Sequence, residues 1–159
     1  MSEILTRTLT ELVGQLRLRK LSPVELMTAV LDRIAETQRD LNSFVALRDR
    51  EALLADARAA EARIARGEAR PLEGIPLGVK DLEHVAGLPN TLGSLIFKNR
   101  ISERDEAQVA RLRGAGAIVV GEGKPQNLDQ IHKSPEYKNA MIARIVKKLE
   151  KDLQAKSGQ

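Results

Sequence analysis

The stretch Pro71-Leu-Glu-Gly-Ile-Pro-Leu-Gly-Val-Lys-Asp81 constrains the fold of this chain more than any other. Ile75, Leu77 and Val79 alternate with small or polar neighbours as they do in a half-buried strand. Gly74 and Gly78 leave room for other backbone, or a ligand, to approach closely. The strand delivers Lys80 to the point where the chain begins to turn. A lysine beside a packed interior keeps its charge at a cost in solvation, which makes it a candidate proton acceptor. The same residues also fit a lysine that buries its stem and pairs with Asp81 or with a helix end. On this run alone both readings stand.

The elements around this strand follow from periodicity and capping chemistry. Leu9, Leu12, Val13 and Leu16 predict a helix over about 6–19. Ser22, Pro23 and Glu25 supply an N-cap, a proline at the first helical position and a capping-box glutamate for a second helix ending near Arg39. Asn42–Leu47 reads as a short strand or extended link, and an alanine-rich helix follows over about 49–65, ended by Gly67. Residues 81–94 are dense in glycine, proline and small polar side chains, so they predict a loop of fixed shape whose N–H groups could cradle an anion or a substrate carbonyl. A plain connecting loop fits them equally well. A helix over about 105–113 then leads through Gly114–Ala117 to the apolar strand Ile118-Val-Val120. Strand, helix and continuous apolar strand in that order predict an α/β layout with strands covered on both faces.

Composition narrows the function classes. The chain has 159 residues, two Phe, one Tyr and no Trp, so its core must be aliphatic. Without cysteine, disulfides and thiolate metal sites are excluded, and His84 and His132 stand too far apart in sequence to suggest a metal site; no cofactor is expected. No apolar run reaches the length of a membrane span, and Met1–Thr6 lacks a signal-peptide pattern, so no membrane partner is expected and the cytoplasm is the default compartment. The net charge of +4 is concentrated at one end, where residues 133–159 hold seven Lys/Arg against three acids. Ser134-Pro-Glu-Tyr137 repeats the cap-plus-proline start, and Met141, Ile142, Ile145, Val146, Leu149 and Leu153 give the following stretch an apolar stripe. This predicts a basic amphipathic helix over 134–153.

Taken in order, Leu21-Ser-Pro-Val-Glu25, Leu41-Asn-Ser-Phe-Val45, Pro71–Asp81, Gly87-Leu-Pro-Asn-Thr-Leu-Gly-Ser94 and Asp105 through Leu112-Arg-Gly-Ala-Gly-Ala-Ile-Val-Val-Gly121 closely resemble the N-terminal part of the amidase signature family. The likeness covers roughly residues 4–124, and its Gly-Ile-Pro-x-x-Val-Lys-Asp element is highly specific. The resemblance implies a mixed sheet between helices and hydrolysis of an amide C–N bond by a serine nucleophile, a second serine in a cis peptide and a lysine base. By position, Lys80 is that lysine. A neutral lysine can take the proton of the bridging serine, which in turn activates the nucleophile.

After Lys124 the sequence departs from the family pattern, and the Gly/Ser-rich stretch that carries both catalytic serines is not found. The organisation expected is a truncated amidase-signature-like domain over 1–124, a linker over 125–133 and a basic helical tail over 134–159. Such a domain is expected to be inactive alone, with a structural or interaction role through self-association or a protein partner, using the 134–153 helix and an uncovered sheet edge. The alternative is the lysine-donating part of a split amide hydrolase completed by another subunit. Binding of nucleic acid or an acidic partner by the tail ranks below both, since one aromatic and three acids accompany its basic residues.

Overall fold

The computed structural model describes residues 3–123. The linker over 125–133 and the basic helix over 134–153 lie outside the described residues. A 3-10 helix at Glu3–Thr6 precedes α1 (Leu9–Arg17), α2 (Pro23–Leu41), β1 (Phe44–Leu47) and α3 (Arg50–Ala65). Then come β2 (Pro76–Lys80), a 3-10 turn at Leu95–Phe97, α4 (Ala107–Gly114) and β3 (Ile118–Gly123). The α/β class and the small mixed sheet flanked by helices are as expected from the sequence.

Capping chemistry sets most helix ends. The first helix starts later than the predicted residue 6, at Leu9, the first residue of the apolar stripe. The Thr8 hydroxyl accepts the Glu11 N–H at 3.3 Å and the Glu11 carboxylate accepts the Thr8 N–H at 2.7 Å, a capping box that fixes the start at Leu9. Its far end closes with Arg19 at φ 56° and the Lys20 N–H on the Gln15 carbonyl at 2.9 Å. The Arg19 guanidinium then reaches the carbonyl of Ala65 at 2.6 Å, joining the C-terminal ends of α1 and α3. Ser22 caps α2 with Glu25 reaching back to its N–H at 2.9 Å, and Pro23 sits in the first turn, as predicted. Gly67, at φ 77°, ends α3 with the Glu68 N–H on the Arg63 carbonyl at 2.9 Å.

The strand order is β1-β3-β2, with β3 antiparallel to β1 and parallel to β2. The apolar run of β3 is buried on both faces. Ile118 and Val120 pack with Met27 and Leu31 of α2 and Leu53, Ala57 and Ala60 of α3. Val119 turns the other way, onto Val79, Val85 and Val109 of α4. A third cluster joins Leu16, Leu21, Leu26, Ile64 and Ile75 where α1 meets the start of β2. β3 must accept β1 very closely: a Cβ on Gly121 would lie 2.2 Å from the Ala46 carbonyl oxygen, so only glycine fits. Among the described residues β1 and β2 are both edge strands.

Candidate active site around Lys80

β2 ends at Lys80, and β3 runs beside it in the same direction, with Lys80 opposite Gly123 in the register. The chain turns at once, because the N–H groups of Leu82 and Glu83 both donate to the Lys80 carbonyl, at 2.7 and 3.0 Å. Val79 points into the buried cluster, so the alternation of the strand turns Lys80 to the opposite face, where its side chain is exposed. The packed surroundings expected for this lysine are therefore absent among the described residues. No ion pair joins it to Asp81 there either.

Asp81 is fully buried and turned away from Lys80. Its carboxylate accepts the N–H of Thr91 at 2.6 Å, the hydroxyl of Thr91, and the N–H of Gly93 at 3.4 Å. The loop of fixed shape predicted over 81–94 does cradle an anion, and that anion is its own Asp81. Several of its other donors are also engaged within the chain: Ala86 N–H on Asp105 Oδ1 at 2.8 Å, Gly87 N–H on the Ser102 carbonyl, and Asn90 N–H on the Arg100 carbonyl. The glycines of the strand are likewise approached by the protein itself. Gly74, at φ 81°, faces Pro23, and the ring of Phe44 lies over Gly78.

Glu122 was not singled out by the sequence, although a glutamate two residues beyond a buried apolar run was a visible signal. β3 continues past Val120 to Gly123, and Glu122 sits in register between Ala46 and Val79 with no exposure at all. Neither of its oxygens meets a hydrogen-bond partner among the described residues. Burial, with the Asp81 carboxylate beside it, pushes its carboxyl up to about 7.

The described serines are committed elsewhere or poorly placed. Ser22 and Ser94 cap helical turns through the N–H groups of Val24 and Ile96, at 3.0 and 3.3 Å. The Ser102 hydroxyl is buried against His84 Nδ1 at 3.0 Å. Ser43 is exposed just before β1; Phe44 and Lys80 both lie opposite Gly123, so two strand spacings, about 10 Å, separate that end of β1 from Lys80. A cavity of about 500 Å³ opens at the other end of the sheet, beside Ile118, roughly 13 Å along the strands from Lys80. Its arginines are engaged: Arg48 with Asp56 and the Val119 carbonyl, Arg63 and Arg70 with Glu73, and Arg113 with Asp105.

The sequence profile of the family described as Amidase matches residues 25–147. The chain belongs to the amidase family. The family match runs beyond residue 124, where the sequence reading sets the boundary of its domain. The chain is 45% identical over 127 residues to a glutamyl-tRNA(Gln) amidotransferase subunit of Azoarcus sp. (strain BH72), covering 80% of this chain and 25% of that protein. To the protein of the same name from Nocardia farcinica (strain IFM 10152) it is 37% identical over 142 residues, 88% of this chain and 28% of the other. Among solved structures, the native peptide amidase from Stenotrophomonas maltophilia superposes with a TM-score of 0.69 at 29% identity, over 76% of this chain and 25% of the amidase. This family member thus spans about a quarter of the length of the relatives it matches. Among its described residues no helix is long and apolar enough to cross a membrane.

Proposed function

We propose that this chain carries the lysine-bearing portion of an amide hydrolase site, with Lys80 as the proton acceptor, and that it does not hydrolyse amides by itself. The observation that carries this reading is the setting of Lys80. It is exposed at the C-terminal end of a parallel strand, the end at which open α/β sheets receive ligands, and its neighbouring carboxylate is engaged by Thr91. A lysine so presented is available to a group that is not among the described residues. In our reading a second polypeptide supplies both serines. Lys80 takes the proton of the bridging serine as that serine takes the proton of the nucleophile; the nucleophile's oxygen attacks the amide carbon, and the proton passes on to the leaving nitrogen. Packing against that polypeptide would also remove water from Lys80 and so favour its neutral form. The relatives are named as subunits of an amidotransferase, which supports both a protein partner and an amide substrate.

The test is labelling with a fluorophosphonate probe. The chain alone should take up no probe. Mixed with the separately produced remaining three quarters of the Azoarcus relative, it should restore labelling on the added polypeptide, and Lys80→Ala should abolish that labelling. A labelled serine in this chain alone would overturn the reading.

A second reading is a non-catalytic, self-associating domain. Its support is the pair of edge strands together with Leu95 and Ile96, each 87% exposed. Sedimentation equilibrium should then give a dimer or larger species that does not respond to salt; a monomer at all concentrations would count against it.

A further inference from the structure

We propose that Asp81 and Glu122 share a single proton, and that this proton latches the 81–94 loop onto the end of the sheet beside Lys80. Donors are unevenly shared between the two carboxyl groups. Asp81 is surrounded by groups that give it hydrogen bonds, the Thr91 N–H and hydroxyl and the Gly93 N–H, and it acts there only as an acceptor. Glu122 is equally buried, one residue before Gly123, whose carbonyl accepts the Asp81 N–H at 2.9 Å, and it has no donor directed at either oxygen among the described residues. Two carboxylates in one dry site repel each other, whereas a protonated Glu122 brings the donor that the site lacks. The shared proton therefore sits on Glu122 and bonds the strand to the loop.

Among the described residues, the groups facing the pair offer no competing charge. β1 presents Ala46 opposite Glu122, and β2 presents Val79, with Lys80 on the other face of its strand. α4 contributes Val109; its Arg113 is paired with Asp105 and its Arg111 is exposed. In the loop, His84 is bonded to Ser102 and Glu83 gives only its carbonyl, to the Asn90 amide. The consequence is directional. As pH rises and the proton leaves, like charges face each other across the link between Glu122 and the loop, and the loop loosens. This holds whether or not Lys80 serves as a base.

Amide hydrogen exchange on the full chain tests it. The N–H groups of Thr91 and Gly93 end on Asp81, so their protection, corrected for the intrinsic pH dependence of exchange, should fall about tenfold or more between pH 5 and 8.5. Glu122→Gln, whose amide donates at every pH, should remove the fall. Flat protection in the wild type, or an unchanged fall in the variant, would overturn the proposal. Carbon-13 NMR of the Glu122 side chain decides the matter without a variant: titration near pH 7 supports the shared proton, and titration near 4.5 refutes it.

Discussion

Two glutamates among the described residues are taken out of water almost completely, Glu73 at 4% exposure and Glu122 at 0%, and they meet opposite fates. Burial drives both carboxyls toward the protonated form. At Glu73, beneath the helices, that push is outweighed by the Arg70 and Arg63 guanidiniums, at 2.6 and 2.8 Å, which hold the carboxyl below its ordinary range. At Glu122, where β3 leaves the sheet, the charge that acts on it among the described residues is another carboxylate, and the group is pushed up to about 7. Desolvation is common to the two; the sign of the neighbour decides. The contrast extends to their surroundings. The helical half has capped ends and paired charges, while the buried polar atoms without partners among the described residues, Asn90 Oδ1 and the two Glu122 oxygens, all lie at the loop end. Natural proteins leave such deficits where function competes with stability, which supports placing the working end of this chain there.

Removing Glu73 should have one of the two largest effects. Glu73→Ala leaves two guanidiniums facing each other without their carboxylate, and should cost about 3 kcal/mol in urea unfolding, the low end for a buried pair because both arginines are half-exposed. Its folded-state pKa is depressed, so its contribution is present above the unfolded value of 4.5 and is lost as pH falls below it. Wild type and variant should therefore converge at low pH. Glu122→Gln should behave in the opposite sense. The folded pKa of Glu122 is raised, so the wild type loses stability as pH climbs from 4.5 to about 7 and is level above that. The variant, free of that slope, should be more stable than wild type by about 3 kcal/mol at pH 8 and no more stable at pH 4. Equal pH profiles for the two proteins would mean that Glu122 carries no raised pKa. A smaller effect belongs to the helical half alone: Ser22→Ala deletes a working cap and should cost about 1 kcal/mol at every pH, read by thermal melting.

The legibility of the sequence follows the same division. Helix ends written in local chemistry, such as Ser22-Pro23-Glu25 and Gly67, could be read directly, because the groups that satisfy one another are within a few residues. The apolar alternation of Ile75, Leu77 and Val79 and the run Ile118–Val120 located two strands for the same reason. Thr8 was overlooked because the apolar spacing begins only at Leu9, after the cap, and does not register it. Asp81 and Glu122 could not be paired in advance, being 41 positions apart in the chain and brought together only by the parallel register of β2 and β3. The exposure of Lys80 was hidden for a related reason. The motif gives its place at the end of a strand, but which face it takes depends on Val79 joining Val85, Val109 and Val119.

The smallest stability effect carries the most functional weight. If Lys80 serves a completed site rather than the fold, Lys80→Ala should change the stability of the chain by less than about 0.5 kcal/mol, as substitution of an exposed side chain with no paired partner does. The same change should abolish probe labelling in the mixture with the Azoarcus polypeptide. A loss above about 2 kcal/mol would mean that Lys80 buries its stem or pairs with a charge in solution, and would return it to a structural role. Small cost together with lost labelling is the combination a purely structural lysine cannot produce. It would set Lys80 with Glu122, among groups held at the working end without being needed for the core.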